Sequence, residues 1–192
     1  MSGLASRSEL RMSFLRYAVV TVPAIVLLGS LSGYLANSGY SNPWFEALRK
    51  PVFMPPGWAF GLAWTILYIL IGLSLAMLLH AKGAQKRQRT IILFCVMLLV
   101  NFAWSPVFFG MHKVTLGLSL IVAMIVATMG LILVLWRIRI VAALLLYPYL
   151  GWLMFAGLLN YEILRLNPNA DTLVPGQHTI NIDIGGNGAE TR

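Results

Sequence analysis

Trp64 and Tyr68 stand one helical turn apart inside the run WFEALRKPVFMPPGWAFGLAWTILY, deep in an apolar segment. Bilayers collect Trp and Tyr at their surfaces rather than at mid-depth, so these rings are expected to face protein or ligand. Two further segments repeat the arrangement: Asn101, Trp104, Ser105 and Phe108 share one helical face, and Tyr149, Trp152, Ala156 and Asn160 share another. Indoles, a phenol and a few amides offer stacking surfaces and fixed hydrogen bonds. They do not offer acid, base or nucleophile, for there is no paired carboxylate, Ser-His-Asp set, phosphate-cradling Gly loop or metal constellation. Any reaction here would be radical or photochemical, with a bound pigment as the reactive group.

The segments that carry these faces span a membrane. Of 192 residues, 59% are apolar and 10% charged, against about 25% charged in soluble domains. Charge-free runs cover Tyr17 to Phe45, Pro51 to Leu79, Thr90 to Met111, Val114 to Trp136 and Ile140 to Tyr161, and each supplies the roughly 20 residues a spanning helix needs. The fold class is therefore an all-α integral membrane protein, a bundle of five transmembrane helices. Runs such as IVAMIVATMGLILVLW do not alternate apolar and polar, which excludes a transmembrane barrel. The first run is longer than a signal-peptide core and is read as the first span.

Short second, third and fourth connections make consecutive helices antiparallel neighbours. The long connection, 38–56, is the natural lid, stiffened at its exit by Pro51, Pro55 and Pro56; Trp44 and Phe45 are expected to swing over a pocket mouth. Residues 1–16 read as an N-terminal tail, 17–165 as the transmembrane domain and 166–192 as a polar, Gly-rich, disordered tail in which TINIDI is a weak strand candidate. Cys95 is the one cysteine, so no internal disulfide forms.

The net charge of +8 does not point to nucleic acid, because Lys82, Lys86, Arg87 and Arg89 crowd one short loop where basic residues set topology. Arg7, Arg11, Arg16, those four, Arg137 and Arg139 fall on the N-terminal side. Arg49, Lys50, Lys113, Arg165 and Arg192 fall on the other. In a bacterial plasma membrane this puts the N-terminus in the cytoplasm. No intramembrane carboxylate or chain of ionisable groups is present for a proton-coupled pump.

Two readings of the aromatic faces stand side by side. Aromatics at helical spacing commonly form bundle core, with Gly61, Gly72 and Ala156 letting helices approach. The same faces, converging under a lid and supplied with Asn101, Ser105 and Asn160, fit a concave ligand pocket. Ala123, Ala127 and Gly130 on the fourth span suit either a dimer contact or packing within the chain.

Trp44, Leu48, Lys50-Pro51, Pro55-Pro56, Trp64 and Tyr68, then Asn101 to Ser105 with Phe108-Phe109, then Pro148-Tyr149, Trp152, Ala156 and Asn160, together resemble the tryptophan-rich sensory protein and translocator protein family, also called the peripheral benzodiazepine receptor family. The match runs from about Tyr17 to Asn167. The resemblance implies a five-helix bundle, commonly dimeric, with a pocket under the first loop for porphyrins and, in many members, sterols or synthetic ligands.

Carried over by residue, the resemblance makes Trp64 and Trp152 the pocket tryptophans, Ala156 the small residue that shapes the pocket, Tyr68 and Phe108 its wall, and Trp44 and Phe45 the aromatics at its mouth. Phe45 stands where several relatives have Tyr. A loose sterol motif matches at Leu159, Tyr161 and Arg165, where Tyr and Arg also form an ordinary interfacial anchor pair. The implied function is a binding protein, sensor or translocator for tetrapyrroles and other hydrophobic ligands; the alternative is photo-oxidative porphyrin breakdown with Trp64 and Trp152 as the catalytic candidates.

His80 and His112 lie at span ends and His178 in the tail, which leaves no mid-membrane imidazole for haem iron. A metal-free porphyrin fits better, as ligand and not as cofactor, and no metal site is expected. Arg49 or Lys50 would meet its propionates, if they are not simply solvated. The expected partners are such a hydrophobic molecule, membrane lipid and a second copy of the chain, in a bacterial cell envelope.

Overall fold

The computed structural model describes residues 7–173. Its elements in chain order are α1 (Arg7–Leu35), α2 (Pro43–Ala47), α3 (Gly57–His80), α4 (Arg87–Ser105), a π-turn (Pro106–Gly110), α5 (Val114–Ile138), α6 (Ile140–Leu144), α7 (Tyr147–Leu166) and a short 3-10 turn (Ala170–Thr172). No strand occurs among the described residues. A helix satisfies its own backbone in lipid, so each long apolar run takes that form. Five helical stretches are long and apolar enough to cross a membrane: Met12–Leu35, Gly57–His80, Arg87–Gly110, Val114–Ile138 and Ile140–Leu166.

Helix boundaries follow local chemistry. Lys86 takes a left-handed conformation, φ 64°, immediately before α4. Pro106 has no N–H to give to the ladder, and the third span relaxes there into the π-turn. The last span breaks at Leu145 and Leu146 and restarts with Pro148 in the first turn of α7, where a missing donor costs nothing.

Two boundaries differ from the sequence reading. α1 begins at Arg7, inside the segment read as an N-terminal tail, because residues 7–16 contain no Gly or Pro and simply extend a helix already nucleated in the span. At the other end, residues 167–173 are not a free tail but sit against the bundle. The rest of that tail, with the Thr179 to Ile184 strand candidate, lies outside the described residues.

Around the bundle the spans run in the order one, two, five, four, three: α1 packs along α3, α3 meets α6 and α7, α7 lies on α5, α5 on α4, and α4 returns to α1. The second and third spans, joined by the short turn after His80, meet over a limited stretch only. The sequence reading had made them full neighbours. α1 takes much of that place because Gly72 brings the two backbones together; a Cβ on Gly72 would lie 2.7 Å from Val22 Cα. Thr21 closes the crossing with a hydrogen bond from Oγ1 to Gly72 O at 2.8 Å.

The half of the bundle toward the α5–α6 joint is solid. Ile71, Leu78, Phe94, Met97, Leu131, Leu135 and Leu146 are fully buried there. Leu27, Leu28, Leu99, Val126 and Leu133 point outward, the apolar coat a bilayer requires. Gly130 faces Leu93 of α4, which gives that small residue a packing role within the chain. The opposite half, toward the loop, is hollow.

Candidate functional site

The hollow half contains a cavity of about 630 Å³. Of the residues singled out by spacing, Trp64 and Tyr68 enter from α3, Asn101, Trp104 and Ser105 from α4, Phe108 from the π-turn, Trp152, Ala156 and Asn160 from α7, and Phe45 from the loop above. Four helical segments and the loop thus turn aromatic side chains to one space. Trp64 forms the hinge of that surface, with ring centroids 5.2 Å from Tyr68 and 6.3 Å from Trp152, the second pair nearly perpendicular at 81°.

Two of the sequence candidates lie behind the wall instead. Tyr149 is fully buried and its hydroxyl accepts from Asn101 Nδ2 at 2.9 Å. Tyr68 OH donates to Asn101 Oδ1 at 3.2 Å, and the Met124 sulfur sits 3.7 Å from Asn101 Nδ2 and 3.5 Å from the Tyr149 hydroxyl. One amide therefore ties α3, α4, α5 and α7 at the cavity floor. Asn101 holds the wall in place and has little capacity left for a ligand.

Trp44 is the second. The sequence reading had it swing over the mouth; in the structure it is 1% exposed, stacked on His112 at 4.6 Å and edge-on to Phe108 at 5.5 Å. Its Nε1 donates to Ala170 O at 3.1 Å. A ring wedged among three segments cannot swing with the loop. Ser38, Gly39, Tyr40, Ser41, Phe45 and Met54 are the residues of the connection 38–56 that line the cavity.

Asn42 builds that roof. Its Oδ1 caps α2 by accepting from Trp44 N and Phe45 N at 3.0 and 3.2 Å, while Nδ2 donates to Phe109 O at 3.3 Å. Lys50 Nζ donates to Glu46 O and Leu48 O and lies 4.9 Å above the Phe45 ring. Burial draws the Lys50 ammonium below the usual lysine range, with the Glu46 carboxylate opposing the shift. Lys50 is committed to the loop's own carbonyls and Arg49 is exposed; neither lines the cavity.

The far wall is equally fitted. Trp104 stacks on Phe108 at 4.9 Å and its Nε1 donates to Gly117 O at 3.2 Å. Any side chain at Gly117 would press on Phe108, Asn160 and Trp104. In the orientation that pairs both ends of the Asn160 amide, Nδ2 donates to Val114 O at 3.0 Å and Oδ1 accepts from Leu118 N at 3.3 Å, bridging one step of α5. Trp152 Nε1, by contrast, is buried without a partner.

Spacing also missed part of the lining. Phe60, one turn before Trp64 on the same face, packs against Trp152 with centroids 5.8 Å apart; extending the stripe by four residues would have found it. Gly29, Ser30, Gly33 and Tyr34 supply an α1 wall. Gly29 and Gly33 are one turn apart, and Gly29 lies so close to the Tyr68 ring that a Cβ could not fit. The sterol motif is divided: Leu159 is buried and lines the cavity, Tyr161 is 52% exposed on the outer surface, and Arg165 is paired with Glu162 at 2.7 Å. No single face carries all three.

His80 rests against Phe14 and Tyr17 at the opposite end, and His112 stacks on Trp44. Neither ring lines the cavity. Among the described residues no three His, Cys, Asp or Glu are grouped to hold a metal ion.

The chain resembles known proteins along nearly its whole transmembrane length. The family model described as TspO/MBR family matches residues 19–166. A tryptophan-rich protein TspO of Chlorobaculum tepidum is 40% identical over 155 residues, 78% of this chain and 98% of that one. The translocator protein of Bos taurus is 34% identical over 155 residues, covering 76% of this chain and 90% of its own. A tryptophan-rich sensory protein of Cereibacter sphaeroides is 33% identical over 128 residues, 67% of this chain and 79% of that one.

Proposed function

Since the chain belongs to the TspO/MBR family and is a multi-pass membrane protein, we propose that it is a sensor or translocator that binds a flat hydrophobic ligand of the protoporphyrin type beneath its first loop. The observation that carries this reading is the aromatic cavity of about 630 Å³, within the roughly 300–1,000 Å³ of small-molecule sites. Trp64 and Trp152 stand edge to face, so a macrocycle stacked on one presents its rim to the other. Arg49, exposed on the loop that roofs the cavity, is the cation available to a propionate. The relatives' names, translocator and sensory protein, agree with a role in moving or reporting a ligand. In a bacterial envelope the reading puts the end bearing Lys82, Lys86, Arg137 and Arg139 in the cytoplasm; a reporter fused after Arg192 would then be found outside.

Titration of the purified protein in nanodiscs with metal-free protoporphyrin tests this in the dark. Saturable quenching of tryptophan fluorescence near one porphyrin per chain is expected, and the Trp64→Phe, Trp152→Phe double variant should bind roughly tenfold or more weakly, given about 0.5–1.5 kcal/mol for each lost aromatic contact. Quenching that rises linearly without saturation, or equal affinity in the double variant, would remove the assignment.

The two indoles that line the cavity side by side, Trp64 and Trp152, favour one second reading: photo-oxidation of the bound porphyrin by dioxygen with these indoles as participants. Illuminating the same samples separates the two. Loss of porphyrin to a defined product in the parent chain, abolished in Trp152→Phe while binding persists, would make the protein an enzyme rather than a carrier or sensor.

A further inference from the structure

The polar segment after α7 forms none of the cavity lining, yet it supplies most of the hydrogen bonds between roof and bundle. Asn167 Oδ1 accepts from Arg49 N at 2.9 Å while its Nδ2 donates to Arg49 O at 2.9 Å and to Ile163 O at 2.8 Å. One carboxamide thereby pairs both backbone groups of a single loop residue and ties them to the last turn of α7. Ala170 O takes the indole N–H of Trp44. Asp171 Oδ1 accepts from Val114 N at 2.8 Å, capping α5, whose own preceding residue Lys113 makes no side-chain cap; a carboxylate there also complements the helix dipole.

Among the described residues, the hydrogen bonds that leave loop residues 39–50 for anything beyond the α1–α3 connection itself are Asn42 to Phe109, Trp44 to Ala170, and the Arg49 pair with Asn167. All but the first end on this segment. Ala170 is 1% exposed and packs in one cluster with Trp44, Phe108, Val114 and Ile163. Asn160 and Ile163, on the helix that carries Asn167, line the cavity. The segment therefore connects the cavity wall to the roof through two residue pairs, Asn167 with Arg49 and Ala170 with Trp44.

We propose that residues 167–171 are a latch, with Asn167 as the positioning residue that holds the first loop closed and sets how fast the roof opens over a bound ligand. The part concerning ligand release rests on the site proposed above. The part concerning the loop does not, and it is tested first on the protein without ligand.

Trypsin cleavage of the Arg49–Lys50 bond needs that stretch of backbone to leave Asn167 and enter the protease, so its rate reports opening of the latch. In detergent, Asn167→Ala should be cut there roughly tenfold faster than the parent chain, with cleavage after Lys82, on the opposite face of the bundle, unchanged as an internal reference. Asn167→Asp, which keeps the acceptor for Arg49 N and loses the donor, should fall between them and serves alone if the alanine variant does not fold. Protoporphyrin preloaded on the same variants should dissociate faster in the same order.

Equal cleavage in all three proteins would overturn the latch. Faster cleavage with unchanged porphyrin dissociation would overturn its part in ligand release. If the parent chain fails to bind porphyrin, the function proposed above is refuted, and the latch stands or falls on the cleavage rates.

Discussion

Asn101→Leu is expected to destabilise the protein by about 2–4 kcal/mol and to lower its melting midpoint by roughly 5–15 °C. The side chain pairs two tyrosine hydroxyls at once, Tyr149 on one side and Tyr68 on the other. Leu would fill similar volume but leave both phenols without that partner, and stranding a buried polar group costs about 1–3 kcal/mol. Membrane proteins recover some of this through alternative partners, which is why the low end of the range is included. Tyr149, fully buried, would retain only the Met124 sulfur, whereas Tyr68 lines the cavity and can turn toward it. The variant should therefore bind ligand more weakly as well as melt earlier. A midpoint within about 1 °C of the parent would mean that the network is incidental to the fold.

Ala156→Leu is expected to separate ligand binding from stability. Ala156 lines the cavity one turn beyond Trp152 and one turn before Asn160, so three added carbons would project into empty space rather than into a neighbouring helix. The overpacking that usually costs about 1–3 kcal/mol is then borne by the ligand and not by the core. Protoporphyrin affinity should fall roughly tenfold or more, with the melting midpoint held within a few degrees. Met154→Leu on the same helix, 62% exposed on the outer surface, should change neither. An Ala156→Leu protein that binds as tightly as the parent would place the ligand elsewhere.

The five spans and most of the cavity wall are legible in the sequence because both depend on repeating patterns. A run of twenty apolar residues has one solution in lipid, and Trp64, Trp104 and Trp152 declare a shared face by their distance from Tyr68, Phe108 and Asn160. Parts of the structure that lack a period are not legible this way. Trp44 reads as a mobile loop aromatic, but it is immobilised by Ala170 and His112, which are 126 and 68 positions away in the chain. Asn167 and Asp171 look like the start of a solvated tail since polar composition is the only local signal; their partners are backbone groups, which every sequence has.

Two misreadings have local explanations. Leu159 and Tyr161 are two residues apart, a separation that puts them on opposite sides of a helix, so the division of the sterol motif between cavity and outer surface follows from spacing alone. The limited contact between the second and third spans does not. It depends on Gly72 admitting the α1 backbone, a close approach that becomes visible only when Val22 is found beside it.

The chain's six tryptophans allow the position of a bound porphyrin to be read from one spectrum. Copper(II) protoporphyrin is flat, needs no axial ligand and broadens the NMR signals of nearby protons through its unpaired electron. With the protein labelled at its indole nitrogens in nanodiscs, one equivalent should erase the Nε1–H signals of Trp64, Trp104 and Trp152, which line the cavity. Trp58 and Trp136, 72% and 46% exposed on the outside of the bundle, should keep theirs. Loss of the Trp58 and Trp136 signals with the three cavity indoles intact would put the porphyrin on the lipid-facing surface and refute a site in the cavity.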